Sequence, residues 1–258
     1  MFTIEQRDHL RDYILDIARA DARVTAGALT GSMAVGAVDD RSDIDVAFGI
    51  AEGISLEAVL DDWTDALDRE FGVLHYWDLP FRSSLYRVFL LPGGLELDVG
   101  LSPQHDFGPR GPNFRTLFGT TRQQEASPPS ARFLIGLCWH HVFHARSSIE
   151  RGKPWRAEYW ISALRDHTLS MACLRLGEEH SEARGIDRLP TAVAGPLAEA
   201  LVCSLENTEL RRALAAATAY FISELEALDP GLCARLKPLL QEFGSPQAAQ
   251  SGSIQASP

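Results

Sequence analysis

Chemistry in this chain is concentrated in two short stretches near its start. In 29-LTGSMAVGAVDDRSDIDVAFGI-50, a Gly31-Ser32 pair is followed by Asp43 and Asp45 with one isoleucine between them. Side chains of an extended segment alternate faces, so Asp43, Asp45, Ala47 and Gly49 project one way while Ile44, Val46, Phe48 and Ile50 project the other. The apolar row belongs to a core, which leaves two carboxylates on the opposite face, where joint ionisation is costly unless a cation lies between them. In 94-GLELDVGL-101 the same alternation sets Glu96 and Asp98 against Leu95, Leu97, Val99 and Leu101. Carboxylate oxygens with open positions beside them suit Mg²⁺ bound together with phosphate oxygens, and a third acid lets two ions share the site. Gly31 and Ser32, at the end of a strand, can turn backbone N–H groups and a hydroxyl toward the same phosphates. Three acids and a phosphate cradle make a nucleotide site.

Elements must hold these residues in place, and the flanking sequence supplies them. Residues 4–20 carry Ile4, Leu10, Ile14, Ile17 and Ala18 near helical spacing, which predicts an amphipathic helix. VTAGALTGS reads as a strand ending in a tight turn, and DIDVAFGI as a second strand. SLEAVLDDWTDALDREF has Ser55 at an N-cap position and Leu56, Val59, Leu60, Trp63 and Leu67 on one side, a second helix. VLHYWDL, SSLYRVFLL and GLELDVGL predict three more strands, the last two joined by a Pro-Gly-Gly turn. Residues 102–130 contain five prolines and little periodicity, and read as a long functional loop or a linker. Helical patterns follow at about 131–146, 155–177, 194–206, 208–228 and 231–242. The expected organisation is a catalytic domain over 1–128, a helical acceptor-binding domain over 129–243 and a disordered tail over 244–258.

Gly31, Ser32, Asp43 and Asp45, with Asp98 on a later strand, resemble the signature of the DNA polymerase β-type nucleotidyltransferases. The resemblance spans about residues 22–101. With the block Ser-Asp-Ile-Asp-Val and an all-α second half, the chain is most similar to the small-molecule branch, the adenylyltransferases acting on aminoglycoside or lincosamide antibiotics. It implies an α+β fold, a mixed-sheet nucleotidyltransferase domain with flanking helices followed by an all-α domain. It also implies nucleotide binding by Gly31, Ser32, Asp43 and Asp45, and two Mg²⁺ ions on Asp43, Asp45 and Asp98. ATP or another NTP would be the co-substrate, and Asp98, then Glu96, the general base. One departure stands out: many members carry a basic residue soon after Gly-Ser, whereas this chain has Met33, which leaves Arg41 in the loop before the acids or a base from the second domain to substitute, while Arg110 and Arg115 are either arginines that close over phosphates or exposed loop residues.

Helical spacing gathers Glu158, Ser162 and Arg165 into a stripe flanked by Tyr159 and Asp166, which is either an acceptor-binding surface or a solvated salt-bridge face. His140 and His144 stand one turn apart, but no glutamate completes a His-Glu-x-x-His motif and no cysteine lies at zinc spacing, so a packed or interface role explains them better than a metal does. Cys138, Cys173, Cys203 and Cys233 form no Cys-x-x-Cys pair and read as reduced core residues.

Composition bounds the function. The chain has 258 residues, 45% of them hydrophobic, and a formal net charge of -11. Such a charge disfavours nucleic acid as a partner. No long uncharged apolar run or signal peptide is evident, so no membrane partner and a cytoplasmic location are expected. The sequence leaves the oligomeric state open. Two other functions fit the same residues: modification of a protein, as by antitoxin-like nucleotidyltransferases, and nucleotide binding without turnover.

Overall fold

The computed structural model describes residues 2–123 and 128–245. The chain divides into two compact units, Met1–Ser127 and Pro128–Pro258. The first is built on a mixed sheet and the second on helices, an α+β architecture.

The first unit opens with α1 (Ile4–Ala20), started by a capping box in which Thr3 and Gln6 exchange side-chain and backbone hydrogen bonds. Then come β1 (Val24–Thr30), a single helical turn α2 (Gly31–Ala34) and β2 (Ile44–Ile50). Next, α3 (Leu56–Phe71) begins where the Ser55 side chain accepts from the Ala58 N–H. The hairpin β3 (His75–Phe81) and β4 (Ser84–Leu91) leads through the 92–94 turn into β5 (Leu95–Pro103).

A last strand, β6 (Phe114–Phe118), lies inside the segment that the sequence predicts to be loop or linker. Four of its five residues pair antiparallel with β1, with Leu29 opposite Arg115 and Thr30 opposite Phe114. Only tertiary pairing makes this strand, since Phe-Arg-Thr-Leu-Phe shows too little alternation to announce itself.

The six strands run in the order β3-β4-β5-β2-β1-β6. β2 and β5 are parallel and every other neighbouring pair is antiparallel. One face of the sheet is the core: Ile44, Val46, Phe48 and Ile50 of β2 and Leu95, Leu97, Val99 and Leu101 of β5 pack against Leu10 and Ile14 of α1 and Val59, Leu60, Trp63 and Leu67 of α3. The alternation that buries this row turns the acids to the other face. Met33 belongs to the same core and is 4% exposed. Its thioether fills apolar space, which explains why no basic side chain stands there.

The second unit comprises α4 (Ala131–Glu150), α5 (Pro154–Leu176), α6 (Thr191–Ala194), α7 (Asn207–Leu228) and α8 (Pro230–Gly244), with no strand among its described residues. Its core joins Leu134, Cys138 and Val142 of α4 to Ile161 and Leu164 of α5 and to Leu214 and Phe221 of α7. The helix expected over 194–206 does not form. Gly195 and Pro196 interrupt it, leaving the short α6, a 3₁₀ segment over Gly195–Ala200 and non-helical backbone to Glu206. Cys138, Cys173 and Cys233 are buried and free, but Cys203 is exposed, which corrects its reading as a core residue. The last helix includes Gly244, and residues 246–258 of the expected tail lie outside the described residues.

Candidate active site

On the side of the sheet opposite α1 and α3, register alone arranges the side chains into rows. Asp45 is the ladder partner of Asp98, Asp98 of Val88, and Val88 of Trp77, so one row runs Asp45, Asp98, Val88, Trp77 across four strands. One step further along, Ala47, Gly100, Tyr86 and Leu79 form the next row. The acids lie on β2 and β5, at the middle of the sheet, where adjacent strands are about 4.8 Å apart.

The pKa of Asp98 is pushed up to about 7, chiefly by burial and then by the negative charges of Asp45, Glu96 and Asp43. These four carboxylates therefore share one field, as the alternation predicts. Asp98 Oδ1 is buried and has no hydrogen-bond partner, and Ser32 Oγ is in the same condition. Orphaned buried polar atoms are costly in a protein without a ligand, about 1–3 kcal/mol each.

Gly31 explains the close approach of the turn to the acids. Its φ is +58°, and a Cβ there would lie 1.9 Å from Asp45 Oδ2 and 2.7 Å from Asp45 Cγ. Only a residue without a side chain lets the Gly31-Ser32 backbone rest against the Asp45 carboxylate. The loop that delivers Asp43 is also fixed. Asp39 Oδ1 accepts from the Arg41 N–H at 2.8 Å and the Ser42 hydroxyl at 3.0 Å, and the Asp39 carbonyl accepts from Arg7 Nη1 at 2.5 Å.

Among the described residues, no group of three or more His, Cys, Asp or Glu side chains is arranged to hold a metal ion. The acids thus do not form a closed three-ligand cage by themselves. An all-oxygen set with an orphaned carboxylate oxygen nevertheless fits Mg²⁺, which completes its shell with waters and phosphate oxygens rather than a protein cage.

The other residues singled out by the sequence fall differently. Glu158 Oε1 accepts from Ser162 Oγ at 2.6 Å, Arg165 Nε donates to the neighbouring Asp166 at 3.0 Å, and Tyr159 is exposed. This stripe satisfies itself along α5. Arg41 and Arg115 are exposed, while Arg110 Nη2 donates to Ser84 Oγ at 2.7 Å and to Asp106 at 3.1 Å. His140, His141 and His144 pack around Trp160, with ring centroids 5.0–5.9 Å from the indole, and His141 also meets His167.

Two features of this face escape sequence reasoning. A cavity of about 180 Å³ lies beyond the acids, lined among others by Tyr86, Gly100, Ser102 and Arg110 and by Phe107 and Phe114. The Tyr86 ring lies over Gly100, where a Cβ would come within 2.7 Å of it. Beside it, Trp77, Leu79, Phe81 and Leu90 are 44–51% exposed. Alternation in His75–Phe81 does group Trp77, Leu79 and Phe81, but only the β3-β4-β5 register puts Trp77 in the row of Asp98, two strands away.

No protein-family model matches the chain, and no curated protein matches it. Among solved structures, the chain is similar to an aminoglycoside 6-adenyltransferase from Bacillus subtilis, with 13% identity, 90% of this chain and 96% of that chain covered, and a TM-score of 0.38. A likeness at that level leaves site and substrate to be read from this chain's own residues. Among the described residues no helix is long and apolar enough to cross a membrane.

Proposed function

We propose that the protein is a Mg²⁺-dependent nucleotidyltransferase that moves AMP from ATP to a hydroxyl of a small molecule, such as an aminoglycoside- or lincosamide-like antibiotic. The observation that carries this reading is the pairing of Asp45 with Asp98 across parallel strands, with the Gly31-Ser32 turn packed against the Asp45 carboxylate. The unpartnered Asp98 Oδ1 supplies a ligand for a cation and the unpartnered Ser32 Oγ a donor for a phosphate.

Asp43, Asp45 and Asp98 are the residues that would hold Mg²⁺, which when bound offsets negative charge on the phosphate oxygens. The Ser32 hydroxyl and the backbone N–H groups of the turn donate to the terminal phosphates. The acceptor oxygen forms a bond to the α-phosphorus as the bond to the bridging oxygen breaks, and pyrophosphate leaves in line with the electron pair of that bond. The hydroxyl proton passes to a carboxylate on β5. Asp98, in the same row as Asp45, ranks first as the acceptor of that proton, and Glu96, two residues away on the same face, second. Assay of pyrophosphate release from Mg·ATP against a panel of hydroxylated antibiotics tests the reading. Acceptor-dependent release that Asp45→Asn abolishes is expected; undiminished turnover by Asp45→Asn would refute the assignment.

A further inference from the structure

The site face has a direction, and the direction names the acceptor's seat. The Gly31-Ser32 turn leaves the end of β1 and rests on Asp45, so the terminal phosphates lie on the β1 side of the acids. In-line displacement requires the entering oxygen and the leaving pyrophosphate to stand on opposite sides of the α-phosphorus. A line from β1 across β2 and β5 continues over β4 and β3, because the strand order is β3-β4-β5-β2-β1. From β5 to β3 is two strand spacings, about 10 Å, the width of a one- or two-ring molecule.

That ground is apolar. Trp77 and Leu79 of β3 and Leu90 of β4 are 51%, 47% and 44% exposed, and Phe81 is 47% exposed. Val88 and Tyr86 lie between them and the acids. An edge strand with this much exposed aromatic surface is a liability unless something covers it. Pro80, next to last in β3, has no N–H to offer a further strand, which weakens this end of the edge as a pairing partner for another chain. The face of the shelf, rather than its edge, is what remains available.

We propose that Trp77, Leu79, Phe81 and Leu90 form the acceptor platform, and that the acceptor is an amphiphilic ring compound: an apolar ring face stacks on Trp77 while a hydroxyl reaches Asp98. An apolar ring face matches the whole of this surface, whereas the charged groups of a hydrophilic polycation match only its ring faces and leave the aliphatic area of Leu79 and Leu90 uncovered. Aromatic stacking on one rigid side chain of this kind also carries a large share of a ligand's binding. The inference rests on the nucleotidyltransferase reading, which supplies the in-line axis.

The test uses the full chain with Mg·ATP labelled in the α-phosphate and two probes, lincomycin as the amphiphile and streptomycin as the polycation. Mg·ATP binding is measured separately by calorimetry, and failure of the wild-type chain to bind it refutes the underlying reading rather than the platform. Labelling of lincomycin, with a KM raised about tenfold or more by Trp77→Ala and by Leu79→Ser at an unchanged Kd for Mg·ATP, is the expected result. Both side chains are exposed, and thermal unfolding of each variant checks that the fold is kept. The proposal is overturned if streptomycin alone is labelled, or if neither probe is. It is also overturned if Trp77→Ala weakens Mg·ATP, which would make the shelf a nucleobase platform. Sedimentation showing a dimer that Trp77→Ala dissociates would assign the shelf to a second copy instead.

Discussion

At the scale of single residues, Gly31 and Asp98 carry the sharpest expectations. Gly31→Ala puts a methyl group into the space of the Asp45 carboxylate and asks a side-chain-bearing residue to hold φ +58°. A loss of Mg·ATP affinity of about tenfold or more is expected, measured by calorimetry, with only a modest change in unfolding temperature. Asp98 gives a prediction about pH. Its folded-state pKa of about 7 lies above the ordinary carboxylate value, so the metal-free native state binds more protons than the unfolded chain between about pH 4 and 7, and stability from this group falls as pH rises through that window. Buried His141 acts in the opposite sense. Desolvation, then the nearby His167, His140 and His144, lower its pKa to about 4, so its contribution falls as pH drops from about 6.5 to 4. Urea midpoints measured across this range should show a steeper acid loss in Asp98→Asn than in the wild type, and a shallower one in His141→Leu.

At the scale of elements, the β3-β4 hairpin is held to α3 by one buried cation. Arg87 is 3% exposed, pairs bidentately with Asp78 at 2.6 and 2.7 Å, and donates to Asp61 at 2.9 Å and Thr64 at 3.0 Å. Tyr76 covers it with its ring, 4.4 Å from the guanidinium carbon. Asp78→Ala strips the bidentate partner from this cation and should cost about 2–3 kcal/mol by urea unfolding, while leaving Mg·ATP affinity unchanged. The regular elements of this unit were legible in the sequence because local physics suffices for them. Thr3 and Ser55 cap helices whose apolar spacing is plain, and period-two alternation marks β2 and β5. Long-range decisions were not legible. β6 exists because β1 offers it an edge. The 194–206 helix fails for a local reason, since Gly195-Pro196, visible in the sequence, outweighs a favourable periodicity.

At the scale of the whole molecule, the acid half of the candidate site could be read from the sequence, since alternation fixes the face that Asp43, Asp45, Glu96 and Asp98 share and the Gly31-Ser32 pair marks the turn at the end of β1. The apolar half could not. Trp77, Leu79 and Phe81 are ordinary strand residues until the register sets them two strands from Asp98, and Met33 is a missing base until the core claims it. With a net charge of -11, the chain should show no binding to a duplex oligonucleotide at about 0.15 M salt in an anisotropy titration, since it has no excess of cations to displace counterions. The central claim is that the acid face binds a metal-triphosphate, and the most direct test is a calorimetric titration of wild type and Asp45→Asn with Mg·tripolyphosphate and with Mg·ATP. Saturable binding of both ligands by the wild type, weakened about tenfold or more by Asp45→Asn, is the predicted result. Equal affinity in the two proteins, or no binding by the wild type, would contradict it.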